Sequence, residues 1–420
     1  MSTKVLSRGS GLPHAVFLQR VADEPATSPE VRLGQGAFLA LRFVDLLAPD
    51  REPPTPDVFR YQWAATERYC AELAGEGTEA AHLSCIVRAT GEAHRTKEID
   101  ALAPALFAYA LYLEQESHFE EAEDALHTMI GVGAGAMKST DTISAWMRLG
   151  RVRRQQADFD GAIVAYREAG LLAERSGDRH AALLSQVGNC NVLHFRGNLP
   201  EAERRWRGLL ADATHLGDHV IQAHSNHGLG NLLQRRGEGQ AGAPHLWRAY
   251  ELYEDEADQL RVLNDLGIAL LAIGDVDGAE RALKAVVRHE QIGESHFNAF
   301  IELMHCASFR RDRLGFERLR ERCYNHLHQM APNQRADYSL KVGIGLARFG
   351  NFAKGETSLR QALEIASAHG LHELTFRIER IMNGLCDCEL PDSVELAAAE
   401  PRLQSDALRE VSASLAALTP

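Results

Sequence analysis

The chain has 420 residues, of which 45% are apolar and 25% charged, with a formal net charge of −13. That is the make-up of a globular protein in water, and its acidity argues against broad nucleic-acid binding, which needs a basic surface to displace counterions. No run approaches the ~18 uninterrupted apolar residues of a membrane helix, and no secretory-type apolar core follows Met1-Ser2-Thr3-Lys4-Val5. A cytoplasmic chain without a membrane partner is expected, and the seven scattered cysteines fit reduced thiols there.

In chain order, residues 1–30 show no periodicity. Gln35 to Ala48 reads as a helix, and Ala48-Pro49-Asp50-Arg51-Glu52-Pro53-Pro54-Thr55-Pro56 as a stiff linker. Residues 1–56 are therefore an N-terminal extension, and 57–100, with Tyr69, Cys70, Leu73, Ala81 and Ile86, a worn first repeat. From 101 to 370 six passages answer one another. They are His118-Phe119-Glu120-Glu121-Ala122, Asp158-Phe159-Asp160-Gly161-Ala162, Asn198-Leu199-Pro200-Glu201-Ala202, Glu238-Gly239-Gln240-Ala241-Gly242, Asp275-Val276-Asp277-Gly278-Ala279 and Asn351-Phe352-Ala353-Lys354-Gly355. The steps between their last residues are 40, 40, 40, 37 and 76, the last being twice 38. Residues 293–330, where Leu314-Gly315-Phe316 hints at a turn, are expected to be a degenerate repeat. Residues 371–388 read as a capping helix. Residues 389–420 read as a linker with Pro391 and a short amphipathic helix on Leu403, Leu408, Val411, Leu415 and Leu418.

A period of this length marks stacked repeats. Twelve residues before each small residue lies another: Ala110, Gly150, Cys190, Gly230, Gly267 and Gly343. Two helices that cross closely need small side chains where their backbones approach. Gly197, Gly237, Gly274 and Gly350 suit left-handed helix ends. Asp158, Asn198, Asp275 and Asn351 suit N-caps of the next helix. Ser117 with Glu120 has the spacing of a capping box.

Trp146, Leu149 and Gly150 on one predicted helix, with Ala162, Tyr166 and Ala169 on the next, make the pattern resemble the tetratricopeptide repeat, a helix–turn–helix unit of ~34 residues. The period here, 37 to 40, is longer, and is similar to that of helical sensor modules in bacterial signalling proteins. The resemblance implies an all-α fold: a right-handed α–α superhelix of about seven to eight helix–turn–helix repeats, with first helices lining a concave, partner-binding face.

Catalytic signatures are lacking. Gly131-Val132-Gly133-Ala134-Gly135-Ala136-Met137-Lys138-Ser139-Thr140 departs from a phosphate loop, because Ala136 and Met137 separate the last glycine from Lys138 and a helix precedes it. His215 with His219, and His224 with His227, share helical faces, but nothing completes a metal set. Cys386-Asp387-Cys388 is equally incomplete. No enzyme, cofactor or metal site is expected.

The positions three before, one after and four after each small slot should face the groove. In the middle repeats they cluster Arg151, Arg154, Asn191, His194, His227, Asn231, Gln234 and Asn264, with His224 and Arg261 beside them. Asparagine both donates and accepts, so it can pair with an extended backbone. Arginine suits a carboxylate. The resemblance implies that Asn191 and Asn231 hold a bound peptide's main chain. The expected function is to bind a peptide or helix of a partner protein. The alternative is a ligand- or peptide-responsive sensor acting with a separate effector. Self-association stays open.

Overall fold

A computed structural model describes residues 12–19, 28–288, 294–386 and 405–418. Every regular element among them is helical. The expected loose start falls largely outside these residues, as do the connection around Pro391 and the Cys386-Asp387-Cys388 side chains.

The chain divides into two compact units, Met1–Val192 and Leu193–Pro420. Unit 1 holds α1 (Val16–Gln19), α2 (Pro29–Val44), α3 (Pro56–Glu72), α4 (Thr78–Thr96), α5 (Ala103–Gln115), α6 (Phe119–Val132), α7 (Ser139–Gln155), α8 (Phe159–Ser176) and most of α9 (Arg179–Phe195). Unit 2 holds α10 (Leu199–Leu216), α11 (His219–Arg235), α12 (Gly239–Leu252), α13 (Glu256–Ala272), α14 (Val276–Val287), α15 (Glu294–Phe309) and α16 (Arg313–Asn325). It continues with α17 (Pro332–Arg348), α18 (Phe352–Ala368), α19 (His372–Cys386) and α20 (Asp406–Leu418).

The hairpin turns share one geometry. Ser117, Ala157, Gly197, Gly237, Gly274, Arg311 and Gly350 all have positive φ, from 57° to 86°. The residue after each is the N-cap of the second helix. Asp158 accepts from the Gly161 amide at 3.0 Å, Asp275 from Gly278 at 2.8 Å and Asp312 from Gly315 at 2.9 Å. Asn198 and Asn351 sit at the same place without that bond. The capping box expected of Ser117 does not form. Ser117 itself takes the left-handed position (φ 63°), so His118 becomes the N-cap.

Arg311 and Asp312 show that residues 293–330 are a full hairpin, α15 with α16. Its repeat signature is hidden because Phe316 stands in the small slot. The ring is fully buried and lies over Gly345 of α17, where a Cβ would collide with it.

The small slots bring the two helices of each hairpin together. A Cβ on Gly242 would lie 2.7 Å from the Gly230 carbonyl oxygen, and one on Gly355 2.9 Å from that of Gly343. Four residues after the slot, a larger side chain fills the flank of the crossing. Leu246 covers Gly230, Leu283 covers Gly267 and Leu359 covers Gly343, each within 2.7 Å of where a Cβ would stand.

In unit 1 the core runs from Phe17 through Leu41, Leu83, Leu106 and Leu126 to Leu149. In unit 2 it runs through Leu246, Leu263, Leu266, Leu283 and Val286. First helices touch the next first helix along unit 2, α11 to α13, α13 to α15, α15 to α17 and α17 to α19, so they form one continuous layer. Among the described residues no helix is long and apolar enough to cross a membrane.

Gly343→Ala is expected to destabilise the fold by roughly 1–3 kcal/mol through overpacking, seen as a lowered Tm. Gly208→Ala in α10, where nothing lies within 4 Å of the new methyl, should instead be neutral or stabilising by up to about 1 kcal/mol.

A second test concerns α1. His14 places Nδ1 2.5 Å from Asp124 Oδ2 and Nε2 3.1 Å from Asp45 Oδ2, while Arg51 donates to the same Asp45 oxygen at 2.9 Å. Burial pulls the imidazolium pKa down, but the hydrogen bonds and charges of Asp124 and Asp45 outweigh it and hold the value at about 9. A raised folded pKa stabilises fully below the ordinary 6.5 and is lost as pH climbs through about 9. The contribution is at most ~3 kcal/mol. The Tm of the native chain should fall between pH 6.5 and 9, and His14→Gln should flatten that fall.

Candidate functional site

Each unit carries its own polar cluster on first helices. In unit 1 three arginines of α7 lie one helical turn apart. Arg151 Nε donates to Glu114 Oε1 of α5 at 2.6 Å, and Arg148 Nη1 to Glu114 Oε2 at 3.0 Å. Glu114 is buried, while the Arg148 and Arg151 side chains that share its carboxylate reach out toward solvent. Arg154 sits beside the Tyr166 hydroxyl of α8. Burial lowers its pKa, and the nearby Arg151 charge adds to this. Tyr166 is pushed up by burial, which Arg154 opposes. Tyr166 reaches this place because its ring lies over Gly150, where a Cβ would be 2.8 Å away. Asn191 of α9 is half-buried.

In unit 2 the polar groups join into one network. His227 of α11 is buried, with Nε2 2.7 Å from Asp265 Oδ2 of α13 and Nδ1 3.1 Å from the Tyr253 hydroxyl. His224 Nδ1 lies 2.9 Å from the same hydroxyl. Asn231 Nδ2 donates to Asp265 Oδ2 at 2.8 Å. One assignment satisfies every contact: His224 Nδ1–H donates to Tyr253, Tyr253 O–H donates to His227 Nδ1, and His227 Nε2–H donates to Asp265. Burial raises the Asp265 pKa, but the bonds from His227 and Asn231 outweigh it and keep the carboxyl below its ordinary value. Tyr253 is pushed well above the usual phenol range, chiefly by burial, so it stays a neutral donor.

The other residues expected in the groove are placed differently. Arg261 is exposed and paired with Asp258 on its own helix. Gln234 is half-buried at the end of α11. His194, at the unit 2 end of α9, is buried, and its carbonyl accepts from Arg235 Nη1 at 3.4 Å. Asn264 is buried rather than lining the surface. Its amide donates to Leu260 O at 3.2 Å and to Ser295 O at 3.0 Å, tying α13 to the start of α15.

Slot arithmetic missed Asp265, Tyr253 and a third cluster further along unit 2. There Lys341 of α17 is buried between Glu302 of α15 and Asp337, the latter at 2.6 Å. Arg348 donates to Ser308 Oγ at 2.8 Å and lies 3.8 Å over the Phe309 ring. His305 beside it has its pKa driven well down by burial and then by the Arg348 and Lys341 charges. Asp265 carried a faint signal as a lone carboxylate between Leu263 and Leu266. Among the described residues no three His, Cys, Asp or Glu side chains converge as a metal site.

Successive helical hairpins, with small slots at every crossing from α5 to α18 but that of α15–α16, and with the first helices of unit 2 in one layer, define a tetratricopeptide-like helical-repeat fold. Solved structures carry the same likeness. The apo form of the quorum sensor NprR from B. thuringiensis matches at 11% identity over 83% of this chain and 91% of its own, with a TM-score of 0.50. NprR in complex with its cognate peptide NprX matches at 13% identity over 78% and 98%, with a TM-score of 0.47. A Rap protein complexed with Competence and Sporulation Factor matches at 12% over 86% and 98%, with a TM-score of 0.43. At these identities the likeness is one of fold. No family profile matches the chain, and no curated protein does.

Lys341→Met is expected to destabilise the fold by roughly 3–5 kcal/mol, because Glu302 is left charged and buried. Lys341→Met combined with Glu302→Leu should recover most of that loss, read by urea unfolding.

Proposed function

We propose that this protein binds a peptide segment of a partner protein on its first-helix face, and that it is a binding protein and not a catalyst. The observation that carries this reading is the unit 2 network. His227 and Asn231 of α11 bond one carboxylate of α13, and His224 joins them through the Tyr253 hydroxyl at the end of α12. Several of these groups are only half-buried, so donors and acceptors stand at the surface in fixed positions. An extended peptide offers the matching backbone groups at regular spacing. Asn231 spends its amide on Asp265 and keeps its carbonyl oxygen for a peptide N–H. Within unit 1, Arg151 and Arg154 with Asn191 are a candidate contact for an acidic residue.

The fold likeness to apo NprR, a quorum sensor, favours a second reading in which the peptide is a signal. The chain then acts on a separate effector. Both readings are proposed for a chain in the cytoplasm, which suits its cysteines as reduced thiols.

A peptide selected from a random library against the native chain tests the site. Asn231→Ala and Asn191→Ala should each weaken it by about 5–10-fold, one hydrogen bond each. Unchanged affinity in the double variant, with native circular dichroism, would remove the assignment. X-ray scattering with the same peptide separates the two readings: compaction supports the sensor, and an unchanged profile supports the scaffold.

A further inference from the structure

Helix α20 lies against α12 and α14, the second helices of two successive hairpins. Its Leu408, Val411 and Leu415, spaced three and four apart on one face, are fully buried. They join the apolar cluster built by Ala243, Leu246 and Ala249 of α12 and Ala279, Leu283 and Val286 of α14. Arg288 Nη1 donates to the Leu418 carbonyl at 3.3 Å, so a cation meets the C-terminal end of the helix dipole. On their first helices the same two hairpins carry the polar network, where His227 and Asn231 of α11 bond to Asp265 of α13. One joint between repeats is therefore held twice, by Asp265 through the first helices and by α20 through the second.

We propose that α20 is an intramolecular ligand of the α12–α14 groove, and that its docking regulates the peptide site by fixing the joint on which Asp265, His227 and Asn231 depend. α20 stays covalently joined to the chain through residues 387–404, so its docking is an intramolecular event. Docked α20 presets the site, and a bound peptide in turn strengthens α20 docking, because coupling between two sites is reciprocal. The regulated ligand rests on the peptide reading above, whereas the joint itself does not.

The full chain carrying Leu408→Ala, Val411→Ala and Leu415→Ala is compared with the native chain by hydrogen–deuterium exchange. Amides of α11 to α14 should exchange about 10-fold faster or more in the variant, while those of α7 and α8 stay unchanged. A synthetic peptide of residues 405–418, added in trans, should slow the exchange again in the variant and bind the native chain far more weakly. Equal exchange in α11 to α14 overturns the proposal, as does acceleration that the added peptide fails to reverse. Equal binding of that peptide to both chains overturns it too. If the library-selected peptide binds native and variant chains equally, the coupling is wrong. If no library peptide binds the native chain, the peptide reading falls and the exchange result stands on its own.

Discussion

The contact of small residue against small residue across the hairpins, α15–α16 apart, is what the rest of this structure depends on. Where Gly230 meets Gly242, and Gly343 meets Gly355, one backbone carbonyl stands where a Cβ would otherwise be. Such close crossings let the flanking Leu246, Leu283, Leu359 and Tyr166 fold over the first helix. The left-handed turn is then forced, because the second helix must begin within a few residues and run back along the first. Ser117, Ala157 and Arg311 accept that conformation without being glycine, at a cost of about 1 kcal/mol or more each. The packing gained at the crossing offsets this strain.

Close hairpins also decide where charge can go. Within each unit, polar side chains of first helices meet partners on the next first helix instead of water alone. Each unit answers with a centre in which one ion serves several groups. Glu114 takes Arg148 and Arg151, Asp265 takes His227 and Asn231, and Lys341 takes Glu302 and Asp337. Such centres contribute little net stability but fix register between repeats, since each is costly when half-made. The Asp265 centre differs from the Lys341 centre in exposure. It keeps half-buried histidine and asparagine at the surface, which is what a ligand needs.

The repeat was legible because its requirements are local. A small slot, its partner twelve residues earlier and a turn residue between them are all read within one window. Phe316 hid the α15–α16 hairpin for the same reason, as it fills the slot with a ring that only Gly345, on another hairpin, makes room for. Ser117 and Glu120 had capping-box spacing, but the turn geometry claimed Ser117 first. The candidate site was half legible. Its polar positions followed from the slots, and His224, His227 and Asn231 do come together. Their partners Asp265 and Tyr253 lie 34 to 38 and 26 to 29 residues away, and spacing within one repeat says nothing of them. Asn264 looked surface-facing by position, yet it spends its amide on the start of α15.

The end of unit 2 comes back to its beginning. Arg235, on α11, reaches Glu373 at the start of α19 across 3.7 Å. An exposed pair of this kind contributes almost nothing to stability, but it measures how far the hairpins between have curved. An open array can gain or lose a unit and merely change length. One hairpin more or fewer between α11 and α19 would part these two residues, so the pair reports the number of repeats in this half of the molecule without enforcing it.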